Sequence, residues 1–205
     1  TEESWPVLLD TVEAVSEALA TPLAVGGGVK SLEQVQCLLD RGADKVVLNS
    51  AALDQPALID RVATAYGAQC VVLSLDARPQ PEGGWGVWSE GGTLDGRREV
   101  LSWAREAADR GAGEVMATAI ERDGTGEGLD LALTAALAET LLVPVIASGG
   151  CGLAQHFVEG YQAGAAAVAA GTGAGDATTG DAMPLAAQGT KALAAHEGTK
   201  TFQPS

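Results

Sequence analysis

Short apolar runs and helically spaced apolar positions take turns along this chain. Residues 8–19 place Leu9, Val12, Val15 and Leu19 on one side of a helix. The run 23–25 is wholly apolar and reads as a buried strand. Helix 31–40 follows, with Ser31 as its N-cap and Glu33 in its first turn. Gly42 closes that helix, strand 45–49 comes next, and helix 56–66 stops at Gly67. The order continues with strand 70–76, helix 98–109, strand 114–120, helix 131–141, strand 143–147, helix 154–162 and strand 165–170. A weaker helix, 183–196, precedes a polar tail.

The segment 78–96 interrupts this order. It is rich in glycine, proline and acid, and Trp85-Gly86-Val87-Trp88 alternates large and small residues inside it. That pattern predicts a short hairpin inserted in a loop. The rest makes about six strand–helix steps with no hairpin between main strands. Strands this short and uniformly apolar belong in a parallel sheet covered by helices. The fold class is therefore α/β. Two architectures fit, an open doubly wound sheet and a (β/α)₈ barrel, and both gather functional residues at the C-terminal ends of strands.

Composition narrows the function. The 205 residues suit one large domain or two small ones. A net charge of −15 disfavours general affinity for nucleic acid or anionic membrane. With only four lysines, any bound phosphate must be held by backbone amides more than by basic side chains. No apolar run approaches the roughly 20 residues that span a bilayer, so a cytoplasmic location is expected. Cys37, Cys70 and Cys151 lack CxxC spacing, which supports neither a disulfide framework nor a zinc site. No metal or cofactor is expected. Cys37, beside Val35, Leu38 and Leu39, reads as a small buried hydrophobe. Cys151 has His156 five residues on, but sequence proximity does not make a nucleophile pair.

Two glycine turns carry the strongest signal. Gly26-Gly27-Gly28 follows one apolar run, and Ser148-Gly149-Gly150 follows another. Such turns let backbone N–H groups approach an anion closely. Two of them suggest a ligand with a phosphate at each end. Asp76 ends strand 70–76, where poor solvation would raise its pKa toward that of a useful acid or base. Asn49-Ser50, Thr118 with Glu121-Arg122-Asp123-Gly124-Thr125, and Gly171-Thr172 mark further strand ends. Each alone reads as a cap or turn. Together they read as one shared ligand site.

These segments, with Ala24-Val25-Gly26-Gly27-Gly28, the stretch 43–52, Leu75-Asp76-Ala77-Arg78 and Ile146-Ala147-Ser148-Gly149-Gly150, occur in order and at suitable spacing. The chain resembles, over about residues 7–172, the cyclase subunit family of imidazole glycerol phosphate synthase (HisF) from histidine biosynthesis. The resemblance implies a (β/α)₈ barrel of TIM type acting on PRFAR, an elongated nucleotide with two phosphates. By position, Gly28, Asn49 and Ser50 would bind one phosphate, and Asp123, Gly124, Gly150, Gly171 and Thr172 would surround the other. Thr118 and Ser148 would contact the substrate between them. Asp76 would match a catalytic aspartate serving ammonia addition and ring closure. Asp44, Lys45 and Glu114 would match the opposite face, where a glutaminase subunit (HisH type) docks and delivers ammonia.

The family carries its first catalytic aspartate on a first strand and another functional acid at the end of a second. The pattern here joins at the second helix, so the barrel reads as incomplete, with strands 3–8. Glu121 stands where the family usually has aspartate. Residues 1–172 are family-like, and 173–205 form a divergent C-terminal helix and tail. On this reading the 205-residue chain alone lacks cyclase activity. Strands 23–25 and 165–170 would each keep an unpaired side, favouring self-association or a rearranged closure. Two alternatives stay open: a non-catalytic remnant binding phosphates or a partner, and the related ProFAR isomerase. The stretches 48–52 and 121–125 favour the cyclase.

Overall fold

The computed structural model describes residues 5–171 and, as backbone, residues 193–195 and 200–202. Helix α1 (Trp5–Ala18) leads to strand β1 (Leu23–Gly26), helix α2 (Leu32–Asp40), strand β2 (Lys45–Leu48) and helices α3 (Ser50–Asp54) and α4 (Ala57–Tyr66). Strand β3 (Val71–Pro79) then enters a hairpin of β4 (Trp85–Ser89) and β5 (Leu94–Glu99). Helix α5 (Val100–Asp109), strand β6 (Glu114–Ala119), helix α6 (Leu131–Thr140), strand β7 (Val145–Ser148), helix α7 (Ala154–Gln162) and strand β8 (Ala167–Ala170) complete the main run. Two short strands, β9 (Leu193–Ala195) and β10 (Lys200–Phe202), follow.

The sheet order is β10-β1-β2-β3-β6-β7-β8-β9, and every pairing from β1 to β8 along this path is parallel. This is the α/β architecture of an incomplete (β/α)₈ barrel. The strands are apolar on both faces because both faces are covered. On the outer face, Val25, Val46, Leu48, Leu73, Leu75, Val115 and Val145 pack against Leu38, Ile59, Trp103 and Leu137 of the helices. Each such side chain, once buried, contributes about 1.5–3 kcal/mol, so this layer holds the fold. On the inner face, Ala24, Val47, Val72, Met116, Ile146, Ala167 and Ala169 form a separate cluster. Small and medium side chains suit that tapering interior.

The local signals act as read. Ser31 caps α2, its hydroxyl accepting from the Gln34 N–H, and Gly67 ends α4 at φ 91°. Element ends shift by up to three residues from their expected places. The inserted hairpin forms, but β3 runs on past Asp76 to Pro79 and pairs antiparallel with β4. The 78–96 insertion is therefore continuous with the main sheet rather than a detached loop.

Four expectations are corrected. Helix α3 lies where the sequence reads as a loop, because the turn Ser50–Asp54 buries Ala52 completely. Cys37 is exposed, since Val35 and Leu38 take the buried stripe of α2 and Cys37 lies off it. Residues 193–195 of the expected helix 183–196 form a strand instead, while 183–192 and 196 lie outside the described residues. Alanine-rich sequence favours a helix, but β8 offers an unsatisfied hydrogen-bonding edge, and tertiary pairing overrides propensity. Finally, the edges of β1 and β8 are not left open. Strand β10 pairs parallel to β1 from Leu23 to Val25, and β9 pairs antiparallel to β8 from Val168 to Ala170. Those two edges are thus covered from within the chain, and β10 and β9 become the ends of the sheet.

Candidate functional site

Parallel pairing puts the C-terminal ends of β1, β2, β3, β6, β7 and β8 at one mouth. Register then decides what meets there. Asp76 of β3 pairs with Thr118 of β6, and Thr118 pairs with Ser148 of β7. Side chains alternate along a strand, so these three share the inner face with Ser74 and Met116 one step below. A polar row thus caps an apolar interior.

Asp76 is partly buried in that row. Burial raises its carboxyl pKa above the usual carboxylate range. The Asn49 amide works against this, its Nδ2 donating to Asp76 Oδ2 at 3.4 Å, and the negative charge of Asp123 adds to the rise. One long hydrogen bond leaves most of the carboxylate's accepting capacity unused. A group in that state can take a proton from a ligand or return one.

The first glycine turn flanks this row. Gly27 and Gly28 adopt φ 107° and 71°, and both are exposed. No atom lies within 4 Å of where a Cβ on Gly28 would stand, so the turn opens onto free space. Ser50, at the end of β2, accepts at its Oγ from the Glu90 N–H at 3.3 Å. Asn49 precedes α3 but makes no side-chain cap, because its amide reaches Asp76 instead.

The second turn is stitched to the loop after β6. The Arg122 and Asp123 N–H groups both donate to the Ala119 carbonyl, which brings Asp123 back over the mouth. Gly124 is exposed at φ 76° with nothing within 4 Å of its would-be Cβ. Gly128 N–H donates to the Gly150 carbonyl at 2.8 Å, and Arg122 Nη1 donates to the Gly128 carbonyl at 3.3 Å. Gly150 is buried, and a Cβ there would run into the Gly128 carbonyl oxygen. Loop packing therefore accounts for the need for glycine at 150. Gly171 is partly buried at the end of β8, and Thr172 lies outside the described residues.

Several contacts at this mouth have no signal in the sequence pattern. The Arg78 guanidinium lies over the Trp88 ring, 4.0 Å from its centroid, and forms an ion pair with Glu121 at 3.5 Å. Trp85 Nε1 donates to Asp130 Oδ2 at 2.9 Å, while Asp130 Oδ1 caps α6 at Leu133 N–H. His156 is not partnered with Cys151. Its Nδ1 accepts from the Gly152 and Leu153 N–H groups at 3.0 and 3.2 Å, closing the start of α7. Cys151 is buried among Leu129, Ala147 and Val168, and burial pushes its thiol up to about 11. A thiol held protonated is a poor nucleophile.

At the opposite end of the sheet, Lys45 Nζ donates to Glu114 Oε1 at 2.5 Å, with both side chains 18% exposed. Asp44 braces the entry to β1, its Oδ2 accepting from the Leu23 N–H at 2.7 Å. Replacing Lys45 by methionine is expected to destabilise the fold by about 1–3 kcal/mol, because Glu114 would lose its ion-pair partner in a partly buried place. Urea denaturation of the variant checks this, and the double change Lys45→Met with Glu114→Gln should recover most of the loss.

Among the described residues, no helix is long and apolar enough to cross a membrane, and no group of His, Cys, Asp and Glu could hold a metal ion.

A parallel βα sheet of incomplete-barrel type thus sets two glycine turns and one partly buried carboxylate at its C-terminal mouth, with an ion pair at the far end. Comparison with known proteins makes this specific. A family model described as histidine biosynthesis protein matches residues 1–174. The chain is 58% identical over 172 residues to a Prochlorococcus marinus protein provisionally named imidazole glycerol phosphate synthase subunit hisF2, covering 84% of this chain and 66% of that one. It is 45% identical over 170 residues to imidazole glycerol phosphate synthase subunit HisF of Exiguobacterium sibiricum, covering 83% of this chain and 68% of that one. The HisF subunit of Gluconacetobacter diazotrophicus is 45% identical over 163 residues, 80% of this chain and 63% of that one. The chain belongs to the histidine biosynthesis protein family and, within it, to the HisF family. It spans about two thirds of the length of these relatives.

Proposed function

We propose that this chain forms the greater part of a cyclase (lyase) that converts PRFAR and ammonia to imidazole glycerol phosphate and AICAR. The observation that carries this reading is the position of Asp76. It is the carboxylate of the polar row, its pKa is raised, and the exposed Gly28 and Gly124 open onto free space at the same mouth. Gly28, Asn49 and Ser50 would hold one phosphate of the substrate. Asp123, Gly124, Gly150, Gly171 and Thr172 would shape the site of the other. Thr118 and Ser148 would meet the middle of the molecule, where Asp76 would move the proton released on ring closure. With both ends held, ring closure gains from orientation as well as from acid–base assistance.

Ammonia would come from a glutaminase of the HisH type, docked at the end marked by Asp44, Lys45 and Glu114. A cytoplasmic location fits a reaction fed by a soluble partner and a doubly phosphorylated intermediate. The test is a titration with PRFAR followed by amide chemical shifts, together with turnover in ammonium salts by a complete barrel that carries this chain. Shifts at both Gly28 and Gly124 support the site. Binding without turnover would favour the non-catalytic, phosphate-binding reading, and no shift at either glycine would overturn both.

A further inference from the structure

The hairpin β4–β5 touches both ends of the candidate site. At its tip, the Glu90 N–H donates to Ser50 Oγ at 3.3 Å. Glu90 adopts φ 52°, a left-handed conformation that is unfavourable for a non-glycine residue and that this contact helps to hold. A hydroxyl that accepts from Glu90 keeps its own proton for an anion. Near its base, Trp85 Nε1 donates to Asp130 Oδ2 at 2.9 Å. Asp130 closes the loop that carries Asp123 and Gly124, and it is itself fixed on α6 through Leu133 N–H and through Thr134 Oγ1, which donates to its carbonyl. Between these two ties, Trp88 pairs in register with Asp76 and lies under the Arg78 guanidinium.

We propose that the hairpin is a strap that sets the spacing of the two anion-binding turns, with Trp85 and Asp130 as the positioning residues on the Gly124 side. This rests on the reading of those turns as phosphate sites. The indole N–H holds the end of the 121–130 loop, so losing it lets Gly124 drift while Gly28 stays in place. A ligand that must reach both turns at once then binds less well, and the chemistry at Asp76 is untouched once it is bound.

Inorganic phosphate is titrated against the protein, with the amide shifts of Gly28 and Gly124 followed separately. Trp85→Phe keeps the ring and removes the donor. Asp130→Asn keeps an oxygen for the α6 cap and removes the second acceptor. Each variant is expected to weaken phosphate at Gly124 about threefold to tenfold, the share of one hydrogen bond to a carboxylate that the loop would feel. Affinity at Gly28 should not change, and the double variant should be no weaker than either single one. In turnover with PRFAR by a complete barrel that carries the same substitutions, KM should rise and kcat should hold. General loosening of the fold would move both glycines together, so thermal unfolding of each variant is measured alongside. Equal affinity at Gly124 in all four proteins overturns the strap alone. Absence of any phosphate shift in the unsubstituted protein overturns the phosphate sites and the strap with them.

Discussion

In a complete barrel that carries this chain, replacing Asp76 by asparagine is expected to lower ammonia-dependent turnover by about 10²–10⁴-fold, the usual worth of a positioned acid or base. Phosphate affinity at Gly124 should stay the same, since the change keeps the shape of the side chain. The same substitution should stabilise the fold at neutral pH. Burial raises the carboxyl pKa in the folded chain above its ordinary value of 3.8. Between those two values the folded chain holds a proton that the unfolded chain has released. Stability therefore falls as pH rises through that window, and above it the ionised, half-dry carboxylate remains a fixed cost. Asparagine has no charge to desolvate. Its denaturation midpoint should exceed that of the unsubstituted protein at pH 7, and the two should converge as pH falls below about 3.8. A variant that turns over within tenfold of the original would remove Asp76 from the chemistry. A variant less stable at pH 7 would remove the desolvation argument.

Gly150→Val should be the most damaging single change at the mouth. Gly150 adopts φ 90°, where a side chain costs about 1–2 kcal/mol before any contact is counted. Its Cβ would also meet the Gly128 carbonyl oxygen and stand 3.0 Å from the Arg122 Cβ. Overpacking of that kind adds about 1–3 kcal/mol, so a total near 3 kcal/mol is expected. The loop between Arg122 and Gly128 must move to relieve it, and phosphate affinity at Gly124 should go with it. Gly28→Ala is the comparison. It carries the same left-handed penalty at φ 71° but meets nothing within 4 Å, so its stability should drop by only about 1–2 kcal/mol. Equal unfolding free energies for the two variants in urea would show that the Gly128 contact is not what requires glycine at 150.

The hydrophobic pattern of the chain was enough to order its elements. Runs such as Leu23-Ala24-Val25 and Val71-Val72-Leu73 are apolar at every position, which only a strand covered on both faces needs, and the intervening segments repeat at helical spacing. Ser31 and Gly67 were legible for the same reason, since capping depends on atoms within a few residues of the cap. Asp76 was legible because a lone carboxylate ending an apolar strand stands out against its neighbours. The glycine turns were legible because their backbone demands leave little choice of residue.

Contacts between distant segments were not written in any local pattern. The tie from Trp85 to Asp130 spans 45 positions, and that from Asn49 to Asp76 spans 27. Each exists only because parallel pairing and the hairpin set β2, β3 and the loop after β6 side by side. Cys37 looked buried because its neighbours are, yet one residue is a third of a helical turn, and that rotation placed it outside. Residues 193–195 show the same limit from the other side. Their local preference is helical, but unpaired N–H and C=O groups along β8 outweigh a few tenths of a kcal/mol per residue of propensity. Sequence alone thus determined the strands and helices of the main run, α3 apart, and where a carboxylate and two glycine turns lie, because those are set by local periodicity and backbone freedom. Only the tertiary structure decided how the edges are closed, what holds the mouth together and which glycine is required by packing, because these depend on groups that the chain brings together from far apart.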